Sequence, residues 1–196
     1  MAPRDVPRLF VAVPIPTEIA ARISELVTQV QVALGSAGHR VRWVQMEGLH
    51  ITLRFLGPTP KGQIETVAAA VERTVLEVPD LFELRIGGAG AFPDPERPRA
   101  LWLGIRSGAA ALGNLSTALT AALVADGWAL EDRPFRPHLT IARTDGVHAG
   151  AEAGQRLVAS AAELDLGFTA DRVVLYRSHL GHGPARYEIL HSVALG

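Results

Sequence analysis

The sequence predicts an α+β fold of two lobes, with antiparallel sheets facing each other across a concave groove and helices packed outside. Three observations lead to this prediction. Stretches with strand alternation and stretches with helical spacing succeed each other along the 196 residues. The two halves follow a coarsely similar order of strand, helix, strand and motif strand. Each half also contains one His-x-Thr tetrapeptide, His50-Ile51-Thr52-Leu53 and His138-Leu139-Thr140-Ile141.

The first elements follow from hydrophobic spacing and from helix signals. Arg8 to Val13 predicts a buried strand, and the next segment predicts a helix with Thr17 as its N-cap and Gly35 at its end. The inward face of that helix is predicted to carry Ile19, Ile23, Leu26, Val30 and Leu34. Side chains of residues 40–45 alternate as expected for a strand with one solvent-exposed face. The first motif strand follows and ends at Gly57-Pro58.

The later elements are predicted in the same way. A second helix runs from about Pro60 to Glu77, with Ile64, Val67, Val71 and Leu76 inward. Residues 87–99 are rich in Gly and Pro and predict a long irregular loop at a functional rim. The other helices are predicted at 108–125 and 149–160, and the other strands at 81–86, 100–105, 164–168, 173–178 and 186–193.

Composition excludes several classes of protein. With 48% hydrophobic and 20% charged residues the chain is an ordinary soluble globular protein. Its net charge of −1 gives no general field for nucleic acid, so an anionic ligand must be held by local positive charge. The absence of cysteine removes disulfides, thiolate nucleophiles and cysteine-ligated zinc.

No targeting or membrane segment is predicted. The apolar run from Leu9 to Val13 is too short for the hydrophobic part of a signal peptide. The uncharged stretch from Ser107 to Ala125 has leucines at helical spacing and predicts an amphipathic helix rather than a membrane span. We therefore expect a cytoplasmic protein without membrane contact.

The repeated tetrapeptide carries the chemistry. Because side chains alternate across a strand, the His and Thr of each copy point to one face, over an apolar backing. Two imidazoles can move protons to and from reacting groups, and two threonine hydroxyls can bind the oxygens of a tetrahedral anion. A phosphodiester needs all of these functions.

Strand parity sorts the arginines near the motifs. Arg54 is predicted to share the face of His50 and Thr52. Arg143 falls on the face opposite to His138 unless the strand ends or bulges near Ala142. The other arginines near the motifs, Arg40, Arg42, Arg133 and Arg136, are interpreted as solvated surface.

The segments LHITLRFLG and RPFRPHLTIAR resemble the two signature motifs of the two-histidine (2H) phosphoesterase superfamily. They are most similar to those of the bacterial and archaeal RNA 2′,3′-cyclic phosphodiesterases, also called 2′-5′ RNA ligases. The resemblance extends over nearly the whole chain, through RLFVAVPIP, Trp43, Phe92-Pro93, PRALWLGI and LYRSHLGHGPARYEIL. It implies one bilobal, pseudo-twofold symmetric domain over residues 1–196 and hydrolysis of RNA 2′,3′-cyclic phosphates to 2′-phosphates without a metal ion or other cofactor.

The resemblance also implies roles for single residues. His50 corresponds to the proton donor to O3′, and His138 to the acceptor that activates water. Thr52 and Thr140 correspond to phosphate-binding residues, and so does Arg143. Resemblance and strand parity therefore disagree on Arg143; we follow the resemblance, because the strand can end at Ala142. The expected partner is RNA or an oligonucleotide with a 2′,3′-cyclic phosphate, and a monomer is expected.

Other interpretations remain open at this point. The same site could act on a small cyclic nucleotide or as a reversible 2′-5′ ligase, and a degenerate site would leave an RNA-binding module. His179 and His182 could suggest a metal site but lack a third ligand at a recognisable spacing. Tyr176, Tyr187 and Phe92 could stack on a base, although packing is the more common role for such residues.

Overall fold

Two antiparallel sheets and four α-helices make up the part of the chain that the computed structural model describes, which is residues 6–131, 133–145, 150–179 and 185–196. The strands are β1 (Arg8–Pro14), β2 (Arg42–Trp43), β3 (His50–Pro58), β4 (Phe82–Phe92), β5 (Ala100–Ser107), β6 (His138–Arg143), β7 (Leu166–Ala170), β8 (Arg172–His179) and β9 (Arg186–Ala194). The helices are α1 (Thr17–Leu34), α2 (Ile64–Glu77), α3 (Ala109–Ala125) and α4 (Gly150–Ser160). The predicted α+β class is confirmed.

Each sheet contains one motif strand. The first sheet has the order β3-β1-β8-β9, and the second has the order β2-β6-β5-β4-β7. The lobes are therefore not the two halves of the sequence: the N-terminal β2 joins the second sheet, and the C-terminal β8 and β9 join the first. The chain crosses between lobes several times before each sheet is complete.

The helices cover the outer faces of the sheets. α2 and α3 pack on the first sheet, and α1 and α4 pack on the second. The core lies between helices and sheets, where side chains such as Ile51 and Leu139, the residues between the His and Thr of each motif, are completely buried. This burial holds the apolar side of each motif strand against helices and turns its His and Thr toward the other sheet.

The predictions for the cap of α1 and for the last inward residue of α2 are wrong, and α2 begins at Ile64 instead of about Pro60. Pro16 occupies the cap position of α1, because its carbonyl oxygen already accepts the first helical bond from the Ala20 N–H at 2.9 Å, so Thr17 is the first helical residue. The helix ends as predicted at Gly35, whose φ of 54° suits a residue without a Cβ. On α2 the buried position is Val75, not Leu76, which is 80% exposed. Val75 continues the i, i+4 row from Val71.

Two strands, β2 and β4, differ most in length from their predictions. β2 covers only Arg42–Trp43, because residues 35–40 form 3₁₀ turns. β4 continues to Phe92, so the irregular loop begins at residue 93 instead of 87. Its glycines serve packing: a Cβ at Gly90 would overlap the indole of Trp102 on β5. A glycine-rich strand can thus look like a loop in the sequence.

In the part of the chain that the structure describes, no helix combines the length and the apolar character that crossing a membrane requires.

Candidate active site

A groove of about 340 Å³ lies between the two sheets, and it brings together all five site residues predicted from the sequence. These residues are His50, Thr52, His138, Thr140 and Arg143. β3 and β6 contact each other across the boundary between the sheets, so the motifs meet although they are far apart in the chain.

A β-bulge at Leu53 sets the direction of the side chains beyond the first motif. In the pairing of β3 with β1, Thr52 lies opposite Ala12 and Arg54 lies opposite Val11, which leaves Leu53 without a partner. The extra residue reverses the alternation beyond it. Arg54 therefore points away from the groove, and the prediction that it shares the face of His50 is wrong.

Arg54 instead fixes a segment behind the groove. It is 8% exposed, donates a hydrogen bond to the carbonyl of Ala129 at 2.5 Å and lies 3.6 Å from a carboxylate oxygen of Glu131. This segment leads toward the second motif strand. Arg54 thus ties the strand of the first motif to the approach of the second.

An equivalent bulge at Ile141 comes after the second motif. Thr140 lies opposite Trp102 and Ala142 lies opposite Leu101, so Ile141 is the unpaired residue. Ile141 and Ala142 are both fully buried, and Arg143 is exposed and lines the groove. β6 continues to Arg143, so the strand does not end at Ala142; the other alternative, a bulge near Ala142, is what turns Arg143 to the face of the histidine.

Both imidazoles are oriented by the same local hydrogen bond. His50 Nδ1 is 2.7 Å from the carbonyl oxygen of Gly48, and His138 Nδ1 is 2.6 Å from that of Arg136. A carbonyl can only accept, so Nδ1 carries the proton in both rings. Nε2 is left in each ring to accept or donate a proton.

Aromatic rings surround His50. The ring centroids of Phe10, Tyr187 and Tyr176 lie 4.6, 5.0 and 5.9 Å from that of the imidazole. Burial above all, together with the charges of Arg143 and His138, lowers the pKa of His50 to about 4, although the hydrogen bond to Gly48 acts in the opposite direction. His50 is therefore neutral at pH 7 with a free electron pair on Nε2.

His138 has a different set of neighbours. Phe92 presents its ring edge-on at a centroid distance of 5.1 Å, and Trp102 lies at 6.4 Å. Phe92 and Trp102 also contact each other, at 5.2 Å. Both histidines thus lie beside aromatic rings, and the rings around His138 come from β4 and β5.

Beyond the bulges, the two sides of the groove carry different side chains. Phe55, Phe10 and Tyr176 lie directly opposite one another across β3, β1 and β8, and we call this row the aromatic wall. Phe55 is 60% exposed on the groove. On the second sheet Arg42 and Arg143 lie opposite each other across β2 and β6, and we call this pair the cationic wall.

Sequence reasoning missed most of the aromatic wall. The sequence indicates Tyr176 only as a possible stacking residue, and no pattern in it assigns Phe10 or Phe55 to the groove. A signal was present for Phe55, an apolar residue shortly after the motif that strand parity assigns to the core. Only the bulge at Leu53 brings it to the groove.

No cluster of metal-ligating residues occurs in the described ranges. His179 instead pairs with Glu188, at 2.7 Å between Nε2 and a carboxylate oxygen. His182, the other histidine of the possible metal site, lies outside the described residues, as does His148.

The fold and the groove define a class of protein: a two-sheet α+β protein in which each sheet supplies one His-x-Thr strand to a shared groove. A model of the 2′-5′ RNA ligase superfamily matches residues 15–182, and the chain belongs to that superfamily.

Curated relatives share one description. The chain is 31% identical to the RNA 2′,3′-cyclic phosphodiesterase of Geobacillus stearothermophilus over 95% of its own length and 56% of that protein's. It is 34% identical to the protein of that name from Methanothermobacter thermautotrophicus, over 71% of this chain and 72% of the relative. The chain thus spans little more than half of the Geobacillus relative.

Solved structures agree on the fold. A protein from Thermus thermophilus matches with a TM-score of 0.75 and 25% identity, over 96% of this chain and 97% of that one. Escherichia coli LigT complexed with 3′-AMP matches with a TM-score of 0.73 and 25% identity, over 97% and 99% of the two chains.

Proposed function

We propose that this protein hydrolyses RNA 2′,3′-cyclic phosphate ends to 2′-phosphates by general acid and base catalysis with His50 and His138, without a metal ion. The observation that carries the proposal is the matched orientation of the two imidazoles, each with Nδ1 bound to a carbonyl two residues earlier and Nε2 left for chemistry. The RNA 2′,3′-cyclic phosphodiesterase relatives support the choice of substrate.

The reaction needs two proton transfers. His138 Nε2 takes a proton from the attacking water as the new P–O bond forms. The bond between phosphorus and O3′ breaks, and His50 gives the proton on its Nε2 to O3′. The product has a 2′-phosphate and a free 3′-hydroxyl, and exchange with solvent resets both rings.

The remaining groove residues bind the phosphate. The hydroxyls of Thr52 and Thr140 donate to its non-bridging oxygens, and the Arg143 guanidinium supplies positive charge where negative charge develops. The exposed ring of Phe55 offers a surface for stacking of the terminal nucleobase. All of these groups lie along one groove.

His50 must gain a proton before it can act as the donor. Because burial keeps its pKa near 4, it takes up this proton when the phosphate anion binds beside it and stabilises the imidazolium. The opposite assignment, with His50 as acceptor and His138 as donor, is the competing mechanism.

A substrate with sulfur in place of the bridging O3′ distinguishes the two assignments. A thiolate leaves without protonation, so the variant that lacks the donor should regain most of its activity on this substrate. We expect recovery for His50→Ala and none for His138→Ala. The reverse pattern would exchange the two roles.

One chain supplies every group named here. Because each sheet contributes one motif strand, we propose that residues 1–196 act as one bilobal unit and as a monomer. We also propose that it acts in the cytoplasm, on RNA ends present there.

The test of the proposed function uses an oligoribonucleotide with a 2′,3′-cyclic phosphate, in EDTA, with identification of the product isomer. We expect a 2′-phosphate from the wild type and a loss of about 10²-fold or more in rate for His50→Ala and for His138→Ala. His39→Ala is the matched control, since this histidine is not among the groove residues.

Other outcomes contradict specific parts of the proposal. Loss of activity in EDTA would indicate a metal-dependent hydrolase. Turnover of cyclic mononucleotides alone would indicate a small-nucleotide phosphodiesterase, and tight RNA binding without turnover would indicate a binding module.

The superfamily description favours a second candidate reaction, 2′-5′ ligation. It differs from the hydrolysis in the nucleophile alone: His138 takes the proton of a 5′-hydroxyl as the 2′-5′ bond forms, and His50 protonates O3′ as its bond to phosphorus breaks. Adding an RNA with a free 5′-hydroxyl to the assay tests for it, through a longer product that contains a 2′-5′ bond.

A further inference from the structure

Arg42 lies at the groove side of the second sheet, beside Arg143. β2 pairs with β6 so that Arg42 is opposite Arg143 and Trp43 is opposite Ala142. Ala142 is fully buried, so the pair next to it in register faces the groove side. Val44, two residues after Arg42, lines the groove.

The two arginines of the cationic wall are like charges in directly opposed positions, which destabilises a sheet. Both are exposed, and no ion pair joins either guanidinium to a carboxylate among the residues that the structure describes. The chain as a whole carries a net charge of −1, so this local excess of positive charge is not part of a general basic surface. Such an arrangement suits an anionic ligand that neutralises both side chains.

The two arginines lie at different distances from the histidines. Arg143 is next to the groove residues Thr140 and His138, whereas Arg42 is on the terminal strand of the sheet, one strand spacing of about 4.8 Å further out. Arg42 does not line the central groove. Arg143 is therefore the arginine that can bind a phosphate at the histidines, and Arg42 can bind the next phosphate along the strand.

The first sheet has no such extension. β3 is its terminal strand, so within the described residues no strand lies beyond Phe55 in the way that β2 lies beyond Arg143. Phe55 also occupies the position on β3 that Arg143 occupies on β6, since each is the third residue after the threonine of its motif. The groove is thus aromatic on one side and cationic on the other, which gives a bound strand one preferred direction.

We propose that Arg42 binds the phosphodiester on the 5′ side of the terminal nucleoside, while Arg143 binds the reacting cyclic phosphate. This inference rests on the proposed function and narrows its substrate class: the protein prefers oligoribonucleotide ends to 2′,3′-cyclic mononucleotides, which lack that phosphodiester. Arg42 is a binding residue that determines specificity and takes no part in proton transfer.

The test compares two substrates, a cytidine 2′,3′-cyclic monophosphate and a short oligoribonucleotide that ends in the same cyclic nucleotide. We expect Arg42→Gln to lower kcat/KM about tenfold on the oligoribonucleotide, as loss of one charge-assisted hydrogen bond predicts, and to leave the mononucleotide rate unchanged. Arg42→Lys should keep most of the preference. Arg22→Gln is the matched control, because Arg22 is an exposed arginine on α1, which packs on the outer side of the same sheet.

Salt dependence gives a second measurement. For single strands the slope of log affinity against log salt changes by about 0.7 for each phosphate contact. Binding of the product oligoribonucleotide with a 2′-phosphate should therefore lose about 0.7 of its slope in Arg42→Gln and none in Arg22→Gln.

The outcomes separate this inference from the proposed function. An equal loss on both substrates would mean that Arg42 contacts the reacting phosphate, and no loss on either would mean that it contacts no phosphate; both results overturn the inference while turnover by the wild type stands. A wild type that is inert on both substrates overturns the proposed function itself. Unfolding midpoints equal to that of the wild type show that each variant is folded.

Discussion

On β3 the residue that returns to the groove after the bulge is Phe55, and on β6 it is Arg143. The residue before it points away from the groove and is buried: it is Arg54 on β3 and Ala142 on β6. The same backbone device therefore exchanges the positions of an arginine and an apolar residue between the two sheets. The two strands therefore share one backbone geometry, but the side chain that the bulge turns to the groove is aromatic on β3 and cationic on β6.

The largest effect is expected from the cationic wall. Arg143→Ala should lower kcat by about 10²-fold or more on the cyclic-phosphate oligoribonucleotide, because it removes a donor from the oxygens on which charge develops. Steady-state kinetics measures this, with Arg143→Lys as the variant that keeps the charge. A change in KM alone would mean that Arg143 binds the ground state and transition state equally.

The pH dependence of stability tests the burial of His50 behind the aromatic wall. The pKa of His50 is lowered from its usual 6.5 to about 4, so between these values the unfolded chain binds a proton that the folded chain does not. Stability should fall as the pH drops from 6.5 to 4, by at most ~3 kcal/mol from this residue, and then level off.

Denaturant unfolding of the wild type and of His50→Gln, at about pH 7 and about pH 4.5, measures this contribution. The difference in unfolding free energy between the two pH values should be smaller in the variant. An equal pH dependence in both proteins would show that His50 is as easily protonated in the folded state as in the unfolded one.

Arg54 should matter for stability and not for phosphate binding. Arg54→Ala removes the buried guanidinium and the charge-assisted hydrogen bond that it donates to the Ala129 carbonyl, which costs about 2 kcal/mol. Urea unfolding measures this loss. In the control, Arg73→Ala breaks an exposed ion pair with Asp126 and should cost less than ~1 kcal/mol. Comparable losses in both variants would contradict the buried role of Arg54.

The smallest effect is expected from the aromatic wall. Phe55→Ala should raise KM about tenfold with little change in kcat, as loss of a stacking surface for one base predicts. Phe55→Trp should restore the affinity. Leu76→Ala removes a comparably exposed apolar side chain from α2 and should change neither constant. A Phe55→Ala variant with normal KM would show that the base binds elsewhere.

Much of the fold and of the candidate site could be predicted from local pattern. Alternation placed Ile51 and Leu139 in the core and the motif histidines and threonines on the opposite face, because a strand has a period of two wherever its pairing is regular. The same rule failed at Arg54 and at Arg143, in each case beyond a bulge. Helical spacing located α2 but missed its last inward residue by one position.

The sequence by itself determined the class of fold, the two motif strands and the pairs of His and Thr that they carry, since these depend on side-chain alternation within a few residues. Tertiary structure alone decided that β2 pairs with β6, that β8 and β9 complete the first sheet, and that Leu53 and Ile141 are bulged. The physical reason is that a bulge and a cross-strand neighbour are properties of two strands together. Phe10 and Tyr187 acquire their places at the groove, and Arg42 its place beside Arg143, only when strands that are distant in the chain pair with each other.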